Sequence, residues 1–265
     1  EPSTGESGMS TAAGPLVEIK GLKKTFGHVE ALRGVDLEIA EGEVHALVGD
    51  NGAGKSTVVK TLSGVITPDE GELRVRGQRY EFGNPGAAQA VGIETVFQDL
   101  ALADSLPAGE NVFLGREPLR KGFTRRLGFV DRNEMRVRTR KYLTELGVTL
   151  PSLNEPVGSL SGGQRQAVAV ARAAVWGSNM IIMDEPTAAL GVRQTEFVLE
   201  LITRMRDEKK LSILLISHNM PDVLRVADRI SVLRLGQRVA TFKSSETNLQ
   251  DLTLTLAGME GPEHE

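Results

Sequence analysis

Cysteine is absent from the 265 residues, which rules out disulfides, thiolate nucleophiles and any cysteine-held metal. Histidine is scarce: only His28, His45, His218 and His264 occur, with no pair at ligand spacing. Nowhere do the roughly 18 consecutive apolar residues needed to cross a bilayer occur. The stretch Glu1–Gly14 is rich in Ser, Thr and Gly, with two glutamates and no basic residue. It reads as a flexible tail and not as a signal peptide, which needs a positive start and an apolar centre. A membrane role would therefore be borrowed from a partner. Positive charge is not in excess either. The 31 basic and 35 acidic residues give a net charge of −4, a balance that asks for no nucleic acid or anionic membrane partner, a local basic patch aside.

The length suits one large α/β domain, alone or with a small helical insert, and is too short for two full catalytic domains in series. Alternating strands are expected at Leu16–Ile19 and Val35–Ile39, then a buried apolar strand at Val44–Val48. A glycine-rich turn leads from that strand to a helix over Val58–Ser63, and Gly71–Phe82 reads as a hairpin. Residues 100–158 change texture, being arginine-rich and broken by Pro107, Pro118, Pro151 and Pro156. Helical spacing over 131–146 predicts Met135, Val137, Tyr142, Leu143 and Leu146 as buried positions. Helices at Ala167–Val175 and Gln194–Met205, strands at Met180–Met183 and Ser212–Ile216, a hairpin around Gly236 and a polar tail complete the chain.

The run Gly49-Asp50-Asn51-Gly52-Ala53-Gly54-Lys55-Ser56-Thr57 matches G-x-x-x-x-G-K-[ST] between a strand and a helix. Its glycines let successive backbone N–H groups close around phosphate oxygens, and the helix N-terminus adds a favourable field. Lys55 suits the space between β- and γ-phosphates, and Ser56 suits Mg²⁺. The apolar strand Met180–Met183 ends in Asp184 and Glu185. The first suits a metal and its waters, and the second can polarise an attacking water or take its proton. Gln98, after the strand Ile93–Phe97, offers an amide oxygen to Mg²⁺ or water. His218, past the strand Ile213–Ile216, offers an imidazole to a γ-phosphate. Each of these two is also an ordinary residue for a strand end. The block Leu160-Ser161-Gly162-Gly163-Gln164 is either a second anion site at a helix start or simply a serine-capped helix.

Together these residues resemble an ABC-transporter nucleotide-binding subunit over roughly residues 16–245. The Walker A motif is Gly49–Thr57, the Q-loop centres on Gln98, the signature is Leu160–Gln164, Walker B is Met180–Glu185, and the switch histidine is His218. Phe26 matches the aromatic that stacks on adenine in that family. Three stretches, Gly92–Gln98, Asn111–Glu117 and Thr187–Gly191, resemble the sugar-import branch in its single-cassette, fructose-type form. The resemblance implies a P-loop NTPase core with an antiparallel β subdomain over 15–98 and 159–245, a helical insert over 99–158, and tails at 1–14 and 246–265. It implies MgATP hydrolysis with Glu185, His218, Gln98 and Lys55 as catalytic groups, and metal contacts from Ser56, Gln98 and Asp184. It also implies a head-to-tail dimer, in which Ser161 to Gln164 of one copy close over nucleotide held by the Walker A of another. The implied setting is the cytoplasmic membrane face, with permease subunits, indirectly a solute-binding protein, and no nucleic acid. Arg116, Glu117 and Arg125-Arg126 are candidates for the docking face. Import of amino acids or another small solute, a soluble ABC protein of translation or DNA repair, and a cassette that binds nucleotide without turnover are the competing readings. One departure stands out: Gly191 occupies the place where most of the superfamily has aspartate.

Overall fold

The computed structural model describes residues 14–80, 83–122, 127–188 and 190–259. The Glu1–Gly14 tail up to residue 13, Arg125-Arg126 and Ala189 lie outside the described residues. Two sheets organise the chain. The first is antiparallel, in the order β2-β1-β4-β5, from β1 (Val17–Phe26), β2 (Val29–Ile39), β4 (Glu70–Val75) and β5 (Gln78–Arg79). The second runs β10-β9-β3-β8-β7-β6, from β3 (Val44–Val48), β6 (Ile93–Val96), β7 (Met180–Asp184), β8 (Ser212–Ile216), β9 (Arg229–Arg234) and β10 (Gln237–Lys243). Strands β9, β3, β8, β7 and β6 are mutually parallel, and β10 pairs antiparallel at one edge.

The central strands read as unbroken apolar runs because both of their faces are covered. Val44, Ala46, Val48, Ile181, Met183, Ile213 and Leu215 face one core, against α5 (Gly162–Trp176), α6 (Val192–Lys209) and α7 (Met220–Val226). Their alternates Leu47, Met180, Ile182, Leu214 and Ile216 face a second core, with α1 (Lys55–Leu62) and the antiparallel sheet. Val58 and Val59, a β-branched pair that a helix tolerates poorly, are fully buried in that second core. Tertiary packing outweighs the propensity cost there.

Between the sheet strands lie α2 (Pro85–Ala90), α3 (Ala108–Phe113) and α4 (Arg132–Glu145). A third core joins Ala108, Val112 and Phe113 of α3 and Met135 of α4 to Val168 of α5. Helix α5 thus serves two cores, which its alanine-rich sequence allows by letting neighbours approach closely. On α4, Met135, Leu143 and Leu146 are buried and Tyr142 is half-buried, but Val137 is 59% exposed. The expectation for Val137 fails because this helix has only a narrow apolar stripe, turned toward α3 and α5. The C-terminal segment also departs from a polar tail. Helix α8 (Leu249–Ala257) is capped by the Asn248 side chain, which accepts from the N–H groups of Gln250 and Asp251, and it ends at a left-handed Gly258. Its Leu252 is fully buried, worth about 2 kcal/mol relative to exposure.

Candidate nucleotide site

The parallel strands deliver their carboxyl ends to one edge, where ligands of such sheets are held. Registers fix what meets there. Leu47 lies beside Ile216, which carries Gly49 to the level of His218 two residues on. Asp184 lies beside Ile216, and Met183 beside Val96, which sets Glu185 level with Gln98. The strand order β3-β8-β7-β6 therefore brings the glycine-rich loop, His218, the two acids and Gln98 into one row. At about 4.8 Å per strand, the row spans roughly 14 Å.

Two glycines of the loop after β3 have no room for a side chain. A Cβ on Gly49 would stand 2.3 Å from the Leu233 carbonyl oxygen, and one on Gly54 would stand 2.6 Å from that of Ala31. Gly52 and Gly54 are left-handed, at φ +83° and +106°. Ala53 N–H donates to Asp50 O (3.1 Å), and Gly236 N–H donates to Ala53 O (3.0 Å), so the β9–β10 turn buttresses the loop from outside. No side chain caps α1, which leaves its first backbone N–H groups facing the loop. The buried Lys55 ammonium donates to Gly49 O (2.6 Å) and Asp50 O (3.0 Å) and is held over the loop. Asn51 and Ser56 are exposed and Thr57 is half-buried.

Glu185 is non-glycine yet left-handed, at φ +52°, with its N–H donating to Ile216 O at 2.9 Å. That backbone, disfavoured for a side chain with Cβ, aims its carboxylate along the strand ends. Its Oε2 lies 2.9 Å from His218 Nδ1. His218 follows a tight turn in which Ser217 Oγ accepts the Asn219 N–H (3.0 Å), while Asn219 caps α7. Burial first, then the Glu185 charge, hold the Asp184 carboxyl above its ordinary value, against the pull of Lys55 and Lys60. Lys60, on the exposed face of α1, is a charge acting on Asp184 that sequence reasoning missed. Only the fold reveals that α1 packs against β7.

Ser161 does cap α5, in a reciprocal box: Ser161 N–H donates to Gln164 Oε1 (2.9 Å), and Gln164 N–H donates to Ser161 Oγ (3.3 Å). The Gln164 side chain is thus committed to its own helix. Gly163 is required, because a Cβ there would meet Gln194 Cγ at 2.7 Å. The same Gln194 accepts the Gly191 N–H at 2.8 Å, and so ties the start of α6 to α5. Among the described residues, no hydrogen bond or ion pair joins 161–164 to 49–57. Phe26 ends β1, 48% exposed, with Lys24 Nζ 5.6 Å from its ring centroid. Its hairpin is anchored at the β9–β10 turn, since Arg33 N–H donates to the Gly236 carbonyl (2.8 Å). Gln98 is exposed in a turn closed by Leu100 N–H donating to Phe97 O (2.9 Å).

Among the described residues, no cluster of three acidic or histidine side chains is built to hold a metal. The donors at the row are the Ser56 hydroxyl, the Asp184 carboxylate and the Gln98 amide. A small hard cation that keeps its waters and takes substrate phosphates fits such a sparse oxygen set, whereas a protein-caged ion does not. No helix among the described residues is long and apolar enough to cross a membrane.

A family model for the ABC transporter matches residues 32–188. The chain is 47% identical over 253 residues to the fructose import ATP-binding protein FrcA of Rhizobium meliloti, covering 95% of this chain and 97% of that one. It is likewise 47% identical over 238 residues to the xylose/arabinose import ATP-binding protein XylG of Sulfolobus acidocaldarius, covering 90% and 92%. The ribose import ATP-binding protein RbsA of Yersinia pestis is 41% identical over 244 residues, which cover 92% of this chain but 46% of that protein. Among solved structures, the dimeric post-hydrolysis ATP-binding cassette MJ0796 bound to ADP and Pi superposes with a TM-score of 0.72 at 27% identity, over 86% of this chain and 98% of that one. The ADP-bound cassette MJ1267 superposes at 0.76 and 25% identity, over 92% and 95%. The chain belongs to the ABC transporter family, as one of its ATP-hydrolysing cassettes.

Proposed function

We propose that the chain powers import of a monosaccharide, working as two head-to-tail copies beneath permease subunits on the cytoplasmic membrane face, with a solute-binding protein upstream. The observation that carries the catalytic part is the row in which the glycine-rich loop, His218, Glu185 and Gln98 follow four adjacent parallel strands, with Lys55 of α1 held over that loop. Lys55 exchanges its carbonyl contacts for β- and γ-phosphate oxygens, and the backbone of Gly49 to Thr57 encloses the phosphates. Glu185 accepts the proton of the attacking water or polarises it, while His218 sits between that carboxylate and the γ-phosphate. Phe26 offers its exposed face to adenine. Ser56, Asp184 and Gln98 would contact Mg²⁺, which when bound neutralises charge on the phosphates.

The dimer rests on the separation of the two anion-type elements. Ser161 and the backbone of Gly162 and Gly163 make no hydrogen bond to their own phosphate loop, so a second copy is the way for them to reach a γ-phosphate. A docking place for the permease is the cavity of about 220 Å³ between the sheet edge and α3, walled by Val65, Phe97, Leu114 and Trp176. Of the candidate docking residues, Arg116 belongs to its wall, paired with Glu94 (2.6 Å) and stacked over Trp176 (4.9 Å). Glu117 folds back on the Gly115 N–H (3.0 Å). The choice of sugar follows the relatives named for fructose, xylose/arabinose and ribose import. Co-expression with the permease and binding subunits, followed by ATP-dependent uptake of labelled monosaccharides into vesicles, tests the proposal. Uptake of amino acids without sugars would overturn the cargo, and no phosphate release would overturn the ATPase.

A further inference from the structure

Gln98 stands in a turn whose last residue is left-handed. Leu100 and Ala101 are consecutive non-glycine residues at φ +60° and +45°, a conformation that L-residues hold only when something fixes it. The fixing group comes from another element. Arg172 donates from Nη1 to Ala101 O (2.7 Å) and from Nη2 to Leu100 O (3.0 Å). It spends both terminal nitrogens on main-chain carbonyls instead of on a carboxylate. Burial lowers its pKa, while the nearby Glu94 and Asp99 charges oppose that shift. Further along the same loop, the fully buried Asn111 accepts from Ala103 N–H (2.8 Å) and donates to the carbonyls of Ala103, Leu106 and Pro107. Arg172 lies on the helix that begins just after Ser161, eleven residues on from it, or about 16 Å of helix.

We infer that Arg172 is a positioning residue that makes the Gln98 turn ride with the Ser161 helix, so that seating Ser161 on a partner's nucleotide also sets Gln98 in its own site. This rests on the reading of Gln98 as a site residue. A link through main-chain carbonyls suits the task, because it holds the turn's backbone and leaves the Gln98 side chain free. A methionine at position 172 would fill the space without donating, and a lysine would keep the charge but lack the rigid planar fork that holds both carbonyls in one geometry.

The test uses the full chain in a Glu185→Gln background, with amide hydrogen exchange measured with and without saturating ATP. The unaltered Arg172 protein should gain protection at both 161–165 and 98–103. Arg172→Met should keep the gain at 161–165 and the ATP affinity, while exchange over 98–103 becomes at least about tenfold faster. Arg172→Lys should fall between and covers the case in which the methionine variant does not fold. In the hydrolysing protein, kcat should fall about tenfold for Arg172→Met with KM unchanged, and the double variant with Gln98→Ala should be no slower than the worse single one. Leu37→Ala, destabilised in the antiparallel-sheet core, which includes neither Leu100 nor Leu102, should leave the exchange pattern of 98–103 as it was. Unchanged exchange over 98–103 in both Arg172 variants, or additive kcat losses, would overturn the inference. Full turnover by Gln98→Ala alone would instead remove Gln98 from the site, while the exchange pattern would still decide the link.

Discussion

His218 Nδ1 stands 2.9 Å from Glu185 Oε2, the imidazole 72% exposed and the carboxylate only 14%. An exposed ring thus braces a mostly buried acid at the end of the central sheet, on a left-handed backbone. Glu185→Gln keeps the shape and removes the proton acceptor. Phosphate release should drop about 10²- to 10⁴-fold with ATP affinity retained. A variant still turning over at near the original rate would take Glu185 out of the chemistry.

Lys55 contributes the one ammonium held over the phosphate loop among the described residues. Lys55→Met should weaken ATP binding by roughly tenfold to a hundredfold, the worth of one charge-assisted contact. Calorimetric titration reads this directly, and unchanged affinity would contradict the assignment.

Two glycines of the same loop should behave differently. At Gly49 a Cβ meets the main-chain oxygen of Leu233 at 2.3 Å, so Gly49→Ala forces β3 and β9 apart. A loss of about 1–3 kcal/mol is expected from such overpacking. Gly52, at φ +83° with open space around it, should cost Gly52→Ala only the backbone strain of about 1 kcal/mol. Denaturant midpoints for the two variants should keep this order.

The Asp184 carboxyl is held above its ordinary value, chiefly by burial. It therefore binds its proton more tightly folded than unfolded. Its stabilising contribution is full in acid, below the unfolded carboxylate value, and is lost as pH rises through the raised folded value. Nucleotide-free Asp184→Asn should then melt higher than the parent at about pH 7, with the gain shrinking toward about pH 4. A gain that grows in acid would reverse the sign of this account. Glu43 and His45 shift the other way. Burial pushes Glu43 up, but hydrogen bonds from His45 and Ala40 bring it below its usual value, and burial lowers His45. Both lose stability as pH falls, so the comparison is made variant against parent at each pH.

The parallel core was legible because strands covered on both faces must be apolar throughout, as Val44–Val48 and Met180–Met183 are. The phosphate loop was legible because its glycine spacing, lysine and hydroxyls stand in one short run between a strand and a helix. Arg172 was not, since its partners are main-chain carbonyls some seventy residues away that no side-chain pattern announces. Gln194 was missed for a similar reason: its contact with Gly163 arises from the packing of α6 on α5. Val137 misled because helical spacing marks a face without saying how wide the buried stripe is. The capped helix after Asn248 carried its signal in the sequence, an Asn cap ahead, four leucines within and a Gly behind, and only the polar residues flanking it suggested a tail.

The central claim is that one nucleotide is enclosed by two copies, and subunit mixing tests it most directly. Lys55→Ala spoils the phosphate loop, and Ser161→Arg spoils the helix cap that faces it from the other copy. Either variant alone should be inactive. In a one-to-one mixture about half the dimers pair unlike chains, each with one intact composite site, so activity should return to about a quarter of the parent's. A mixture as inactive as its components would mean that each chain completes its own site, and the head-to-tail arrangement would be wrong.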